Sequence, residues 1–265
     1  MPDDSVVLLS REGATCIVTL NRPGSLNSVN PALHHRLTTV WRDIAADPDV
    51  RAVVITGAGR GFSAGGDFAY LQANHDSPSV RETSISWDRM IQTEMLRFPL
   101  PVVAAVNGPA VGLGCSLAIG CDIVLLSDRA YLADPHVSVG LVAGDGGVTF
   151  WPLLTSLLRA KEYLLTGERI DPERAVALGL ANRVVPHDLL MTEALELAGR
   201  LGRQPAAALR GTKAALNLVV EQLTRGGMEA ALLAERDAMT TQEYADIVQA
   251  LRTTARTPLT GTGTA

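Results

Sequence analysis

The chain has 265 residues, a formal net charge of −5, and 47% hydrophobic against 19% charged side chains. That length suits one hydrophobic core with an appended terminal segment, and the composition is that of a globular rather than a disordered protein. An acidic balance with only 4% aromatic residues lacks both the basic footprint and the stacking platforms of a nucleic-acid binder. Cys16, Cys115 and Cys121 are odd in number and show no CxxC spacing, which predicts buried free thiols in a reducing compartment. The first ten residues lack a basic segment followed by an apolar one, so no export is expected and the cytoplasm is the default location. The most apolar stretch, residues 100–126, is interrupted by Pro101, Asn107, Pro109, Asp122 and several glycines. It reads as buried core rather than as a membrane span.

In chain order, residues 6–9 and 16–20 flank Arg11-Glu12-Gly13-Ala14 as a β-hairpin, and Asn21-Arg22-Pro23-Gly24 turns the chain out of it. Pro31 opens a helix to about Ala46, with Leu33, Leu37, Val40, Trp41 and Ile44 on one face. Residues 51–56 form a nearly continuous apolar strand, as expected inside a sheet covered on both faces. A glycine-rich loop through residues 57–67 follows, and a polar stretch at 74–80 leads into a helix ending near Phe98. A second strand, 101–106, leads through Asn107-Gly108-Pro109 into a small-residue helix at 112–119, and 122–127 is a further strand. Beyond Arg159 helices are expected near 159–165, 172–178, 188–203, 206–223 and 227–252, with a brief strand at 182–185. The expected organisation is an α/β core over residues 1–200, a C-terminal helical region over 201–256 and a disordered tail at 257–265.

Two strand–loop–helix units therefore place glycines where a strand ends and a helix begins, the edge at which parallel α/β folds bind ligands. Gly65 and Gly66 let a ligand approach backbone N–H groups with no Cβ in the way, and Asp67 can cap the next helix. The second loop, Asn107-Gly108-Pro109-Ala110-Val111-Gly112-Leu113-Gly114, offers free N–H groups on a favourable helix dipole. One N–H donor from each loop is the makeup of an oxyanion hole, in which a donor contributes roughly 3–4 kcal/mol to a transition state. Competing motifs fit less well. Gly57, Gly59 and Gly61 do not follow the dinucleotide fingerprint, and no Gly-Lys-Ser/Thr loop exists. Gly61-Phe62-Ser63-Ala64-Gly65 has the letters of a nucleophile elbow, but several residues separate Ser63 from the end of its strand.

Asn21-Arg22-Pro23 with Leu26-Asn27, Gly61-Phe62-Ser63-Ala64-Gly65-Gly66-Asp67, Val106 through Cys115 and Cys121-Asp122 resemble the enoyl-CoA hydratase/isomerase (crotonase) family. The resemblance runs on through the segment 140–147, Leu164-Leu165-Thr166-Gly167, Gly179-Leu180 and residues 182–185, in order over about residues 5 to 250. It implies a spiral of ββα units with a C-terminal helical trimerisation region, assembled as a homotrimer or dimer of trimers. It further implies an acyl-CoA substrate, with no cofactor beyond that coenzyme A and no metal; the acidic balance and the interrupted apolar stretch leave no nucleic-acid partner and no membrane to be expected. By resemblance the N–H groups of Gly66 and Leu113 form the oxyanion hole, flanked by Gly65, Gly112 and Gly114. Ser25, Leu26, Ala64 and Asp67 fall where the family cradles CoA. Ala69 stands where some relatives carry a phosphate-contacting lysine.

The chain departs from the family at the proton-handling positions. Ser116 and His136 occupy the places of the two glutamates with which a hydratase adds water. Ser116 alone cannot exchange a proton at neutral pH, whereas an imidazole titrates near 6.5. Asp145, among Gly144, Gly146 and Gly147, is a second candidate, or else an N-cap for a helix beginning near Val148. Three functions stay open: an acyl-CoA hydratase or isomerase using His136 and Asp145, a CoA-independent hydrolase of cyclic β-diketones using the same pair, and a non-catalytic acyl-CoA binder.

Overall fold

The computed structural model describes residues 4–256, so the expected tail at 257–265 lies outside the described residues. In chain order the elements are β1 (Val7–Glu12), β2 (Thr15–Leu20), α1 (Pro31–Ala45), β3 (Ala52–Gly57), α2 (Phe68–Asp76), α3 (Pro78–Arg97) and β4 (Val102–Val106). There follow β5 (Ala110–Val111), α4 (Leu113–Ile119), β6 (Ile123–Ser127), β7 (Leu132–Ala133), α5 (Gly147–Leu154), α6 (Leu157–Thr166) and α7 (Pro172–Leu178). The chain ends in β8 (Arg183–Val185), α8 (Leu190–Gly202), α9 (Ala206–Ala238) and α10 (Gln242–Arg256).

The main sheet has the order β1-β2-β3-β4-β6-β8. Only the β1–β2 hairpin is antiparallel; the remaining pairs are parallel. Strand alternation divides the core in two. Val53, Ile55, Ala104, Val106, Val124 and Leu126 face a large cluster that takes in α1. Ala52, Val54, Val103, Ala105 and Leu125 face α8 through Leu190, Ala194, Leu197 and Ala198. Both faces being covered explains why these strands are apolar throughout.

Asn30 caps α1, its side chain accepting from Leu33 N–H at 2.9 Å, and Pro31 supplies the first turn. Leu33, Leu37, Val40, Trp41 and Ile44 are all buried. At about 1.5–3 kcal/mol per buried large side chain, this stripe outweighs any propensity term in docking the helix.

A second layer of short pairings positions the site. Val29 bridges Gly66, Ser63 bridges Ala110, and β5 pairs in parallel with β7, whose Leu132 also bridges Ile170. This ladder sets four segments side by side: 26–29, 63–66, 110–112 and 131–133.

The C-terminal helices differ from expectation. A break was expected between 223 and 227, but α9 continues through Gly226 and Gly227 to Ala238. Two helical glycines cost about 1 kcal/mol each; burial of Thr224, Ala231 and Leu232 against the body of the protein offsets that cost. The break falls instead at Met239–Thr241, where Thr241 Oγ1 accepts from Tyr244 N–H at 3.2 Å. The polar stretch at 74–80 holds only the short junction between α2 and α3, where the Ser77 side chain accepts from Val80 N–H. Among the described residues no helix is long and apolar enough to cross a membrane. Cys16 and Cys115 are buried free thiols and Cys121 is partly buried; burial raises the pKa of each.

A Cβ on Gly114 would sit 2.6 Å from Ser63 Cβ and 2.7 Å from Ser63 O, whereas one on Gly24 meets nothing within 4 Å. Gly114→Ala is therefore expected to lower the free energy of unfolding by about 1–3 kcal/mol, and Gly24→Ala to stay within about 0.5 kcal/mol of the parent. Urea midpoints at constant m-value measure both.

Candidate active site

The two glycine loops meet backbone to backbone. Phe62 N–H and Ser63 N–H both donate to Pro109 O at 3.0 Å, and Val111 N–H donates to Ser63 O at 2.9 Å. A Cβ on Gly65 would lie 2.9 Å from Val111 O, and Gly65 has φ +80°, so this position needs glycine twice over. Val29 N–H donates to Gly65 O (2.7 Å) and Asp67 N–H to Val29 O (3.0 Å), which leaves the intervening Gly66 N–H outside the bridge. Leu113 is the first residue of α4, where the helix provides no partner for an N–H. Gly112, at φ +53°, makes the turn that brings Leu113 round.

The expected binding residues lie on the same ladder. Leu26 and Asn27 are both left-handed, at φ 50° and 56°. Asn27 is held by donation from its amide to Ala58 O (3.0 Å) and Gly61 O (2.8 Å), while its Oδ1 accepts from Arg22 N–H (2.7 Å). Ala64 N–H donates to Leu26 O at 2.9 Å. Ser25 Oγ donates to Arg22 O. Asp67 caps α2 by accepting from Ala69 N–H at 3.0 Å and pairs with Arg22 at 3.2 Å. Ser63, by contrast, spends its hydroxyl on Asn27 O (2.9 Å) and is fully buried. It has no base beside it, which removes the nucleophile-elbow reading.

His136, Asp145 and Ser116 converge. His136 Nδ1 is hydrogen-bonded to Asp134 Oδ1, and its Nε2 lies 3.1 Å from Asp145 Oδ2. The other oxygen of Asp145 accepts from Ser116 Oγ at 2.9 Å. Asp145 is thus no N-cap: α5 is preceded by Gly146, and no side chain caps it. The surrounding glycines are explained by contact. A Cβ on Gly146 would meet Ser116 Cβ at 2.6 Å, and one on Gly147 would meet Asp134 Oδ2 at 2.3 Å. Gln92 of α3 pins this loop, donating to Gly144 O at 2.9 Å while its Oε1 accepts from Thr149 Oγ1 at 2.7 Å. The imidazole also touches the second glycine loop, since a Cβ on Gly112 would lie 3.4 Å from His136 Cε1.

Burial opposes charge on His136, but the neighbouring carboxylates of Asp145 and Asp134 outweigh it and hold the pKa well above the usual value. An imidazole flanked in this way is an imidazolium at neutral pH, a proton donor rather than a base. Asp134, His136 and Asp145 also have the makeup of a cation site, with ligand atoms within 4.8 Å of one another. Both ring nitrogens are engaged by carboxylates, so the imidazolium itself supplies the positive charge there.

His136 and Asp145 edge a cavity of about 50 Å³ also lined by Gly66, Leu113, His34, Asp88 and Glu235. A larger depression of about 820 Å³ lies between the β1–β2 turn and α8, away from both glycine loops. Sequence reasoning missed Asp134, Glu235 and the His34–Asp88 pair, whose Nε2–Oδ1 separation is 3.0 Å. Glu235 is 3% exposed. Burial raises its pKa well above the carboxylate range, and Asp88, Asp145 and Asp134 add to this against the pull of His136. A signal did exist: Glu235 keeps helical step with Met228, Leu232 and Met239, as Asp88 does with Ile85, Ile91 and Met95.

The charge on His136 has a definite sign in stability. A folded-state pKa above the unfolded value gives stabilisation that is complete below about 6.5 and is lost as pH rises through the folded value. The His136 ring protons are expected to show no NMR titration between pH 5.5 and 7.5. Above that range, unfolding free energy should fall with pH more steeply than in His136→Gln, by up to about 1.4 kcal/mol per pH unit. A midpoint near 6.5 would contradict this assignment.

Residues 10–250 match the family described as enoyl-CoA hydratase/isomerase. An enoyl-CoA hydratase/isomerase crystal structure from Mycobacterium paratuberculosis superimposes with a TM-score of 0.90 at 50% identity, over 93% of this chain and 98% of that one. A putative enoyl-CoA hydratase of Thermus thermophilus is 37% identical over 76% of this chain and 80% of its own length. The monofunctional enoyl-CoA isomerase of M. smegmatis is 32% identical with a TM-score of 0.70, over 82% of this chain and 94% of that one. With that match over most of its length, the chain belongs to the enoyl-CoA hydratase/isomerase family of acyl-CoA enzymes.

Proposed function

We propose that this enzyme polarises a thioester carbonyl with the N–H groups of Gly66 and Leu113 and moves a proton at the adjacent carbon with His136 and Asp145. The observation that carries this reading is the Asp134–His136–Asp145–Ser116 array, seated against the second glycine loop where a pair of glutamates would be expected. In that setting the imidazolium is an acid for an enolate held in the oxyanion hole. In the reverse direction the neutral imidazole takes the proton back, and Asp145, 3.1 Å from Nε2, stabilises the imidazolium that forms. Ser116 holds Asp145 in place by its hydrogen bond rather than acting on substrate. Ser25, Leu26, Ala64, Gly65 and Asp67, with Gly112 and Gly114, form the cradle for CoA. Asp67 shapes that cradle through its cap on α2 and its pair with Arg22. The reaction is hydration or isomerisation of an enoyl-CoA, with CoA as part of the substrate and no other cofactor.

A second reading, hydrolysis of a cyclic β-diketone without CoA, is favoured by one observation: Asp145 pairs with His136 instead of capping α5. The retained Gly112-Leu113-Gly114-Cys115 turn supports the thioester reading over it. Incubation with crotonyl-CoA, followed by loss of the conjugated enoyl-thioester absorbance, tests the first. His136→Ala should lower kcat by about 10²–10⁴-fold with little change in KM, and Asp145→Asn should act in the same direction. Absence of binding and turnover with CoA thioesters of every chain length would overturn it. Turnover of a cyclic diketone, abolished by the same substitutions, would establish the alternative.

The assembly we infer is a homotrimer or a dimer of trimers. Leu216, Leu218, Val219 and Leu223 of α9, with Leu157, Leu158 and Leu165 of α6, are exposed, and apolar surface of this extent marks an interface. Light scattering coupled to size exclusion should give three or six times the 28.0 kDa chain mass. Leu216→Glu combined with Leu223→Glu should shift it towards monomer.

A further inference from the structure

We propose that Tyr70 is a second catalytic residue of this site, taking a proton from a water that adds to acyl carbon 3, and that His34 and Asp88 position it and receive that proton. The inference rests on the acyl-CoA reading above and selects hydration within it. Addition of water moves two protons, one onto carbon 2 and one off the attacking oxygen, and the first array serves only one of them. His136 delivers the proton to carbon 2. Asp145 is held between His136 and Ser116, and the Ser116 hydroxyl is spent on Asp145.

A second chain of titratable groups lines the same cavity. Asp88 of α3, His34 of α1 and Tyr70 of α2 stand in series: His34 Nε2 is 3.0 Å from Asp88 Oδ1, and its Nδ1 is 3.2 Å from the Tyr70 hydroxyl. All three are buried, and they come from three different helices. The large neighbours of His34 on the buried face of α1, Leu33, Leu37, Val40 and Trp41, are apolar, so packing alone does not call for an imidazole there. Trp87 braces that imidazole edge-on, with ring centroids 5.3 Å apart. Tyr70 lies in the first turn of α2, the helix that opens directly after the first glycine loop. Its neighbour Leu71 packs on Gly66, where a Cβ would lie 2.8 Å from Leu71 Cδ2.

The order of the groups sets the direction of proton flow. A carboxylate against Nε2 keeps hydrogen on that nitrogen, so Nδ1 of the neutral ring accepts and the Tyr70 O–H donates. Burial pushes the Tyr70 phenol up to about 12, so it keeps its own proton until another arrives. As the water oxygen bonds to carbon 3, one of its O–H bonds breaks towards the Tyr70 oxygen and the Tyr70 proton passes to His34 Nδ1. The electron pair of the double bond moves into the thioester enolate held by the Gly66 and Leu113 N–H groups, and His136 then protonates carbon 2. Asp88 stabilises the imidazolium formed at His34. Their contact lies off hydrogen-bond geometry, so its attraction is ionic and grows when the ring is charged. The cycle closes when His34 loses a proton to solvent and His136 regains one. The cavity of about 50 Å³ admits the attacking water, which needs roughly 10–15 Å³.

Tyr70→Phe, which keeps the ring, is expected to lower kcat for crotonyl-CoA hydration by about 10²-fold or more with little change in KM. Exchange of the carbon-2 hydrogens of butyryl-CoA with D2O needs His136 and the oxyanion hole but no attacking water, so it should stay within about threefold of the parent. His34→Gln accepts the Tyr70 hydrogen bond but cannot take its proton, and should show the same split between hydration and exchange. Undiminished hydration by Tyr70→Phe overturns the inference, as does an equal loss of hydration and exchange, the mark of a structural role. A parent that hydrates without exchanging overturns it too, since the two proton transfers would then be inseparable. A parent that binds crotonyl-CoA without hydrating it overturns the inference and leaves the acyl-CoA reading standing. Absence of binding and turnover with every CoA thioester overturns both.

Discussion

The site depends on one close approach, that of the loop through Ser63–Gly66 to the loop through Val111–Gly114. Ser63 and Val111 exchange backbone contact at hydrogen-bond distance, and side chains at Gly65 or Gly114 would occupy space already filled by main chain or by Ser63. Because the contact is made by backbone on both sides, it fixes the relation of Gly66 to Leu113 without relying on any rotamer. Preorganised donors of this kind need no rearrangement when charge develops on a bound oxygen. The strain of the approach, left-handed Leu26 and Asn27 included, is carried by a fully buried asparagine whose amide groups are all used.

The acid–base array follows from that contact. Gly112 N–H donates to Ala133 O at 3.0 Å, so the end of β7 is tied to the second loop, and Asp134 and His136 follow it immediately. The glycines at 144, 146 and 147 then let Asp145 close on the same imidazole. A buried imidazole alone would shed its proton; between two carboxylates it keeps it, and the arrangement stands only because both ring nitrogens are partnered. The cluster is thus a fixed positive charge between carboxylates set beside the Gly66 and Leu113 backbone N–H groups, and each is oriented by the same short ladder of strands.

Much of this was legible in the sequence, and the misses have physical causes. The strands, the amphipathic α1 and both glycine turns follow from apolar runs, periodicity and caps, all local signals. Ser116 and His136 stood out because, by the family resemblance, they occupy the places of two glutamates, and Asp145 because it is a carboxylate set among three glycines. Asp134 did not, since an acid before a proline reads as an ordinary turn residue; only the fold shows that it faces the imidazole. Glu235, Asp88 and His34 were overlooked because each lies on a helix face dominated by large apolar neighbours, where a single polar letter barely changes the pattern. The break expected near Gly226–Gly227 failed for the opposite reason, as propensity is a weak local term and the packing of Leu232 and Ala231 overrides it.

That uninterrupted helix has a chemical consequence. Had α9 broken at Gly226–Gly227, the segment bearing Glu235 would have been free to choose its own direction. Continuous helix instead carries the rigid line from the apolar surface around Leu216–Leu223 straight to the carboxyl at the floor of the cavity, about 1.5 Å per residue. Small residues ease its passage: Gly227 lies 3.6 Å, in Cβ terms, from Val148 of α5, the helix that begins directly after the Asp145 loop. One element thereby touches the exposed apolar face, the back of the Asp145 loop and the cavity beside His136. Any force that shifts α9 along its axis moves Glu235 relative to His136, so the placement of this carboxyl is coupled to whatever covers the outer half of the helix.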